Sequence, residues 1–312
     1  MILLQGNGLR IEIAERGAEI VSVKDGEYEY MWQADPAFWA KHSPLLFPVC
    51  GRLRGFTYHF GDRDYKMGNH GFAQRMTFSA EQISEKEALF CLRENEETLA
   101  EYPFPFLLRQ RYRLEGRTLH VTTEAENTGG TPLYCNFGSH EAYAAGGNFT
   151  DWAVRFEKRE DLVLTEQNAS GQLTGRRIPY ADDMQVLPLN WEMFANDSLL
   201  FDGLRSRAVT LEYKGRPAVK VDFPDYDHLL LWTKPGASYI AIEPWNGLPD
   251  TADADGNLAH KLGILRLDPG ESARGEHAIT FWPLPATRPA FFFWGWEGGG
   301  GRGGGEARRA PR

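Results

Sequence analysis

Apolar and polar residues alternate with a period of two along most of this chain, and short turns bearing Gly or Pro interrupt the alternation; this restricts its fold more than any other feature. Leu9, Ile11 and Ile13 alternate with Arg10 and Glu12. Leu108, Tyr112 and Leu114 alternate with Arg109, Arg111 and Arg113. After Glu115-Gly116-Arg117 a second run places Leu119, Val121, Thr123 and Ala125 on one face. Successive side chains of a strand point to opposite faces, so these runs predict half-buried strands joined as a hairpin. Two more hairpins are predicted. One joins Val209-Leu211-Tyr213 to Val219-Val221-Phe223 through Lys214-Gly215-Arg216. The other joins Leu229–Thr233 to Ser238–Glu243 through Lys234-Pro235-Gly236. Such a chain is expected to be all-β, a sandwich or barrel of antiparallel sheets.

Helical signals are few. A short helix is expected over Asp35–Lys41, with Asp35 as N-cap and Pro36 in the first position, and another over Glu94–Glu101. No internal repeat or linker interrupts residues 1–283, which read as one domain. Residues 284–312 are rich in Gly and Arg and lose the strand period, so a disordered tail is expected there.

Bulk properties exclude several classes. The net charge of −9 opposes a nucleic-acid partner, which needs a basic patch to displace counterions. Cys50, Cys91 and Cys135 are far apart and odd in number, so neither a disulfide framework nor a zinc site is indicated. The N-terminus lacks the basic and apolar regions of a signal peptide, and no apolar run is long enough to span a bilayer. A cytoplasmic protein without a membrane partner is expected. Nine Trp suit a sugar ligand, since the apolar face of a pyranose stacks on an indole; the same rings also fill strands and cores.

Three segments place an ionisable residue beside Gly, Pro or an aromatic ring: Gly68-Asn69-His70-Gly71-Phe72, Phe137-Gly138-Ser139-His140-Glu141-Ala142-Tyr143 and Ile242-Glu243-Pro244-Trp245-Asn246-Gly247. Histidine is the side chain best poised to exchange protons near neutral pH. Glu243 follows a strand that is apolar on both faces, with Tyr239 and Ala241 on its own face and Ile240 and Ile242 on the other. A carboxylate buried there is costly unless partnered or used, and burial tunes it as a base. A structural role remains open for each: a carboxylate satisfied by backbone amides or an Arg, and histidines bonded in the core or lying on the surface. No HxH, HxxH or HExxH spacing occurs, so no metal is expected. A serine nucleophile is unsupported, because Gly-x-Ser-x-Gly is absent.

With Pro48-Val49-Cys50-Gly51-Arg52, Leu189–Phe201 and Trp232-Thr233 placed between and around them, these segments resemble the galactose mutarotase-like superfamily. More narrowly, the chain is similar to the bacterial aldose 1-epimerase-related proteins of the LacX type. The resemblance runs in order through residues 1–283. It implies a β-supersandwich with one concave sugar site and no cofactor. It implies Glu243 as the catalytic base on the anomeric hydroxyl and His140 as the acid on the ring oxygen. It further implies His70, Arg52 and Asp197 as sugar-binding residues and Trp245 as part of the site lining. The implied activity interconverts the α and β anomers of a hexose, in a monomer or homodimer whose ligand is a small sugar. Three other readings share the fold. One is a non-catalytic sugar-binding or sensing protein. Another is a hexose-6-phosphate mutarotase, for which Arg54, Arg75 and Arg109 are available cations. The last is a glycoside hydrolase or lyase, which wants a second carboxylate across the cleft.

Overall fold

The computed structural model describes residues 1–284. Each period-two run named above forms a strand. A four-stranded sheet, Ile2–Gly6, Leu9–Ile13, Ile20–Asp25 and Tyr28–Glu29, carries the N-terminus. Thirteen further strands form one antiparallel sheet. From its edge, the order is Glu141–Ala144, Tyr239–Trp245, His228–Trp232, Leu199–Asp202, Trp152–Gln167, Ala208–Tyr213, Arg216–Asp222 and Ser272–Phe281. It continues through Thr118–Asn127, Phe106–Glu115, Glu87–Arg93 and Ser79–Ser84, while Leu173–Pro188 pairs alongside Trp152–Gln167.

All three expected hairpins are present, with Tyr112 opposite Val121, Leu211 opposite Val219 and Leu230 opposite Glu243. Leu108, Tyr112, Leu114, Leu119, Val121 and Ala125 are buried in the main core. On the opposite face Arg109 bridges Glu124 and Glu126, Arg111 meets Glu87, and Arg113 meets Glu115. That arginine row is a solvated ladder of ion pairs, each worth little to stability.

One buried contact shows how strongly the large sheet curves. Glu141, on the edge strand, lies 3.0 Å from His277 on Ser272–Phe281, although six strands separate the two in the sheet. The sheet must curl back on itself for them to meet, as twisted strands allow.

The second expected helix forms over Glu96–Glu101, with Asn95 as its cap: the Asn95 side chain accepts from the Thr98 N–H at 2.9 Å. The first does not form. Asp35 caps a single turn, accepting from Ala37 at 2.9 Å, and the chain then leaves the helical path. The groups a helix would need are bound elsewhere. The Trp39 carbonyl accepts from the Trp32 indole at 2.8 Å, and the N–H groups of His42 and Ser43 donate to the Glu19 carboxylate. The expected tail lies, from residue 285 onward, outside the described residues. Among the described residues no helix is long and apolar enough to cross a membrane.

Candidate active site

The strand Tyr239–Trp245 is buried along its whole length. Ile240 and Ile242 join the main core; Tyr239 and Ala241 pack with Trp32 and Ala142; Trp245 packs with Leu46 and Leu230. Hydrogen-bonded neighbours flank it on both sides, Glu141–Ala144 and His228–Trp232. Glu243 therefore projects from a rigid, desolvated platform.

His140 comes from the loop entering the edge strand. That loop is pulled close to Tyr239–Trp245: the Trp245 indole donates to the Ser139 carbonyl at 3.1 Å, and Gly138 bridges both Leu46 and Trp245. A Cβ on Gly138 would lie 2.8 Å from the Trp245 ring, so only glycine permits the approach. As a result His140 Nε2 stands 3.4 Å from Glu243 Oε2. The imidazole is held by other rings: Trp39 stacks on it at 4.8 Å, and Trp232 and His70 meet it edge-on at 5.5 and 5.6 Å.

His70 sits with φ at 63° in a turn that Gly71 continues at 72°. A Cβ on Gly71 would fall 2.2 Å from the Phe47 carbonyl oxygen. Gly71→Ala is expected to destabilise the fold by about 2 kcal/mol or more through clash and backbone strain, read as a lowered midpoint in thermal melting. The turn aims His70 so that its Nδ1 accepts the Gly51 N–H at 3.1 Å. Neutral His70 thus carries its proton on Nε2. Burial, reinforced by Lys41 and Arg52, pushes its pKa down to about 3, which keeps the ring neutral.

Arg52, His70, His140, Asp197, Glu243 and Trp245 all line one cleft of about 260 Å³. Asp197 lies on a turn with φ at 97°, an uncommon conformation for a non-glycine residue. Burial pushes the Glu243 carboxyl well above the usual carboxylate range, and the charges of Asp197 and Glu141 add to this. Burial, with His70 and Lys41, pushes His140 well below the usual imidazole value. Glu243 Oε2, His140 Nδ1 and Asn69 Oδ1 are buried without hydrogen-bond partners in the protein. Buried polar atoms are almost always paired, so orphans gathered at one cleft suit a polar ligand.

Reasoning from the sequence missed Trp39, Lys41, Gln167 and Lys234, which also line the cleft. They lie on loops or at a strand end and carry no periodic signal. Arg54, Arg75 and Arg109 lie elsewhere: Arg54 donates to the Ala254 carbonyl, and Arg75 and Arg109 bind Glu101 and Glu124.

The aldose 1-epimerase family model matches residues 1–276. This chain belongs to the aldose 1-epimerase family. It is 30% identical to the chromosomal protein LacX of Lactococcus lactis, an alignment covering 89% of this chain and 98% of that protein. The fold is similar to the crystal structure of a galactose mutarotase related enzyme from Lactobacillus acidophilus. The TM-score is 0.84 at 30% identity, over 90% of this chain and 97% of that one. A galactose mutarotase-like protein from Lactobacillus casei superposes with a TM-score of 0.85 at 27% identity, over 90% of this chain and all of that one. The architecture is thus the galactose mutarotase-like β-supersandwich, and in this member of the epimerase family the cleft lies against the edge of the large sheet.

Proposed function

We propose that this protein is an aldose 1-epimerase that opens and recloses a hexose ring by two proton transfers, with Glu243 and His140 as the proton-exchanging couple. One observation carries the reading: a buried carboxyl and a buried imidazole face each other at 3.4 Å in a cleft smaller than the roughly 300–1,000 Å³ typical of drug-sized ligands. That space suits one sugar ring. Glu243 takes the proton from O1 while His140 gives one to O5. The ring opens, the C1–C2 bond rotates, and reclosure reverses both transfers.

The electrostatics fit this exchange. Before ring opening the couple is Glu⁻ and HisH⁺; after it, both groups are neutral. These are two arrangements of a single shared proton. Mutual attraction favours the ion pair and burial favours the neutral pair, so the surroundings that drive Glu243 up and His140 down favour the state that ring opening creates. The pH dependence follows. Losing the shared proton removes the acid, and gaining a second removes the base. The raised Glu243 holds the shared proton well above the ordinary carboxylate range, and the lowered His140 accepts a second only in more acidic solution. Anomer exchange is therefore expected to show a broad plateau that includes neutral pH, with limbs belonging to the couple rather than to either residue. Polarimetry from pH 4 to 10, corrected for spontaneous mutarotation, checks it.

Arg52 lies across the cleft, its guanidinium anchored by the Ser170 carbonyl at 3.3 Å. Arg52→Ala is expected to raise KM about tenfold and leave kcat within about threefold, because the arginine binds hydroxyls alike in ground and transition states. One observation favours a second reading, a phosphorylated hexose. Lys41, Arg52 and Lys234 line the cleft, and among the described residues none pairs with a carboxylate. Anomer-exchange assays on glucose, galactose and their 6-phosphates decide between the two substrates. Ligand binding without any acceleration would instead establish a sugar-binding protein.

A further inference from the structure

Behind the catalytic strands, on the closed side of the sheet, lies a second carboxylate–imidazole pair that the mechanism above does not use. Glu141 Oε1 is 3.0 Å from His277 Nε2, and the two side chains are 4% and 0% exposed. Glu141 opens the edge strand and pairs across the ladder with Ile242, whose side chain lies in the main core, so Glu141 shares that inner face. His140, the loop residue just before it, lines the cleft on the other side. Glu141 thus adjoins His140 by one peptide bond and sits across the ladder from the residue next to Glu243. Glu141 Oε2, His277 Nδ1 and the hydroxyls of Tyr143 and Tyr226 are buried there without protein partners.

Such a pair is an expensive way to fill a core. Apolar residues of similar volume often serve stability as well as buried polar and charged groups do. Its placement points to what it does instead. It is a side-chain strap that joins the edge strand to Ser272–Phe281 across the interior, in addition to the backbone hydrogen bonds by which Tyr30, Trp32 and His42 hold that strand's outer side.

Resting on the proton-exchange reading, we propose that Glu141 and His277 are positioning residues for the catalytic couple: they fix the edge strand that presents His140 and hold a negative charge behind Glu243.

The groups around each member are known. Facing Glu141 are His277, Tyr112, Tyr143, Tyr226 and, through the sheet, Glu243. On the cleft side His140, Asp197 and Tyr239 act on Glu243, and Glu141 acts on it through the sheet, with Cys50 nearby. Lys41 and Arg52 act from the cleft side, on His70 and, for Lys41, on His140. Glu141 is the negative charge acting on Glu243 from the closed side. A negative charge opposes loss of the couple's shared proton and favours gain of a second, so its removal moves both limbs of the activity profile to lower pH.

Three variants test this: Glu141→Gln, His277→Gln and the double Glu141→Leu/His277→Leu. The apolar double variant covers the case in which Glu141→Gln does not fold. Two readouts are taken: the pH profile of kcat, and the ¹³C titration of the Glu243 carboxyl, assigned by its loss in Glu243→Gln. In Glu141→Gln and in the double variant, both limbs and the Glu243 titration are expected to move down by about half a pH unit or more, with kcat reduced and KM within about twofold. His277→Gln retains a donor for Glu141, and is expected to keep the wild-type limbs and most of kcat. Lowered thermal stability with unmoved limbs and an unmoved Glu243 titration assigns the pair a purely structural role and overturns the proposal. The NMR titration separates the two readings. An inactive wild-type protein whose Glu243 still shifts in the variants loses the epimerase reading but keeps the coupling of Glu141 to Glu243.

Discussion

Glu243→Gln is expected to lower kcat for anomer exchange about a thousandfold while leaving sugar affinity within about threefold. The glutamine amide is nearly isosteric with the protonated carboxyl and accepts the same hydrogen bonds, so the cleft keeps its shape. It cannot take the O1 proton. A positioned base contributes roughly 10²–10⁴-fold, and the spontaneous reaction in water is the floor beneath the loss. The substitution also removes a buried ionisable group whose proton affinity is strongly raised, so folding stability should hold or rise slightly. Polarimetry with fresh α-glucose or α-galactose gives kcat and KM, and isothermal calorimetry gives the affinity. A variant with wild-type kcat shows that Glu243 is not the base. A variant that has also lost affinity gives the carboxyl a binding role instead.

The sheet was legible because one face of it is buried. Leu108 to Ala125 alternate in and out, and a slip of one residue would invert the pattern, so register and hairpins follow directly. Glu243 was legible for the opposite reason: a carboxylate in a strand apolar on both faces breaks the pattern and demands an explanation. His70 and His140 stood out through the glycines beside them, and the structure gives those glycines their reasons in the Phe47 carbonyl and the Trp245 ring. Trp39 was hidden because its segment reads as a helix. Asp35 and Pro36 supply a good start, yet the Trp32 indole just upstream and Glu19, more than twenty residues away, claim the hydrogen bonds that would continue it. The turn that results lays the indole on His140. Lys41 and Lys234 were hidden because a lysine on a loop carries no period. The convergence of all these residues depends on the curl of the sheet, which no local stretch of sequence encodes.

His140→Asn is expected to cost about a hundredfold in kcat, and its effect on pH dependence is the more telling result. Asparagine still offers an N–H toward the ring oxygen but transfers no proton to it. The remaining donors, His70 Nε2–H and Arg52, continue to hold the sugar, so KM should stay within about threefold. With the imidazole gone, the shared-proton couple is reduced to Glu243 alone. Activity then requires only that Glu243 be ionised, so the profile should lose its alkaline limb and rise with pH through the raised Glu243 pKa. The wild-type acid limb should vanish, since it reports the second proton on a couple that no longer exists. A low but still bell-shaped profile would show that another group supplies the acid. His70 is the nearest candidate, but its strongly lowered pKa and the Gly51 N–H bound to its Nδ1 hold it in the neutral form. His140→Asn carrying His70→Asn as well should therefore show a higher KM and the same single-limbed profile as His140→Asn alone.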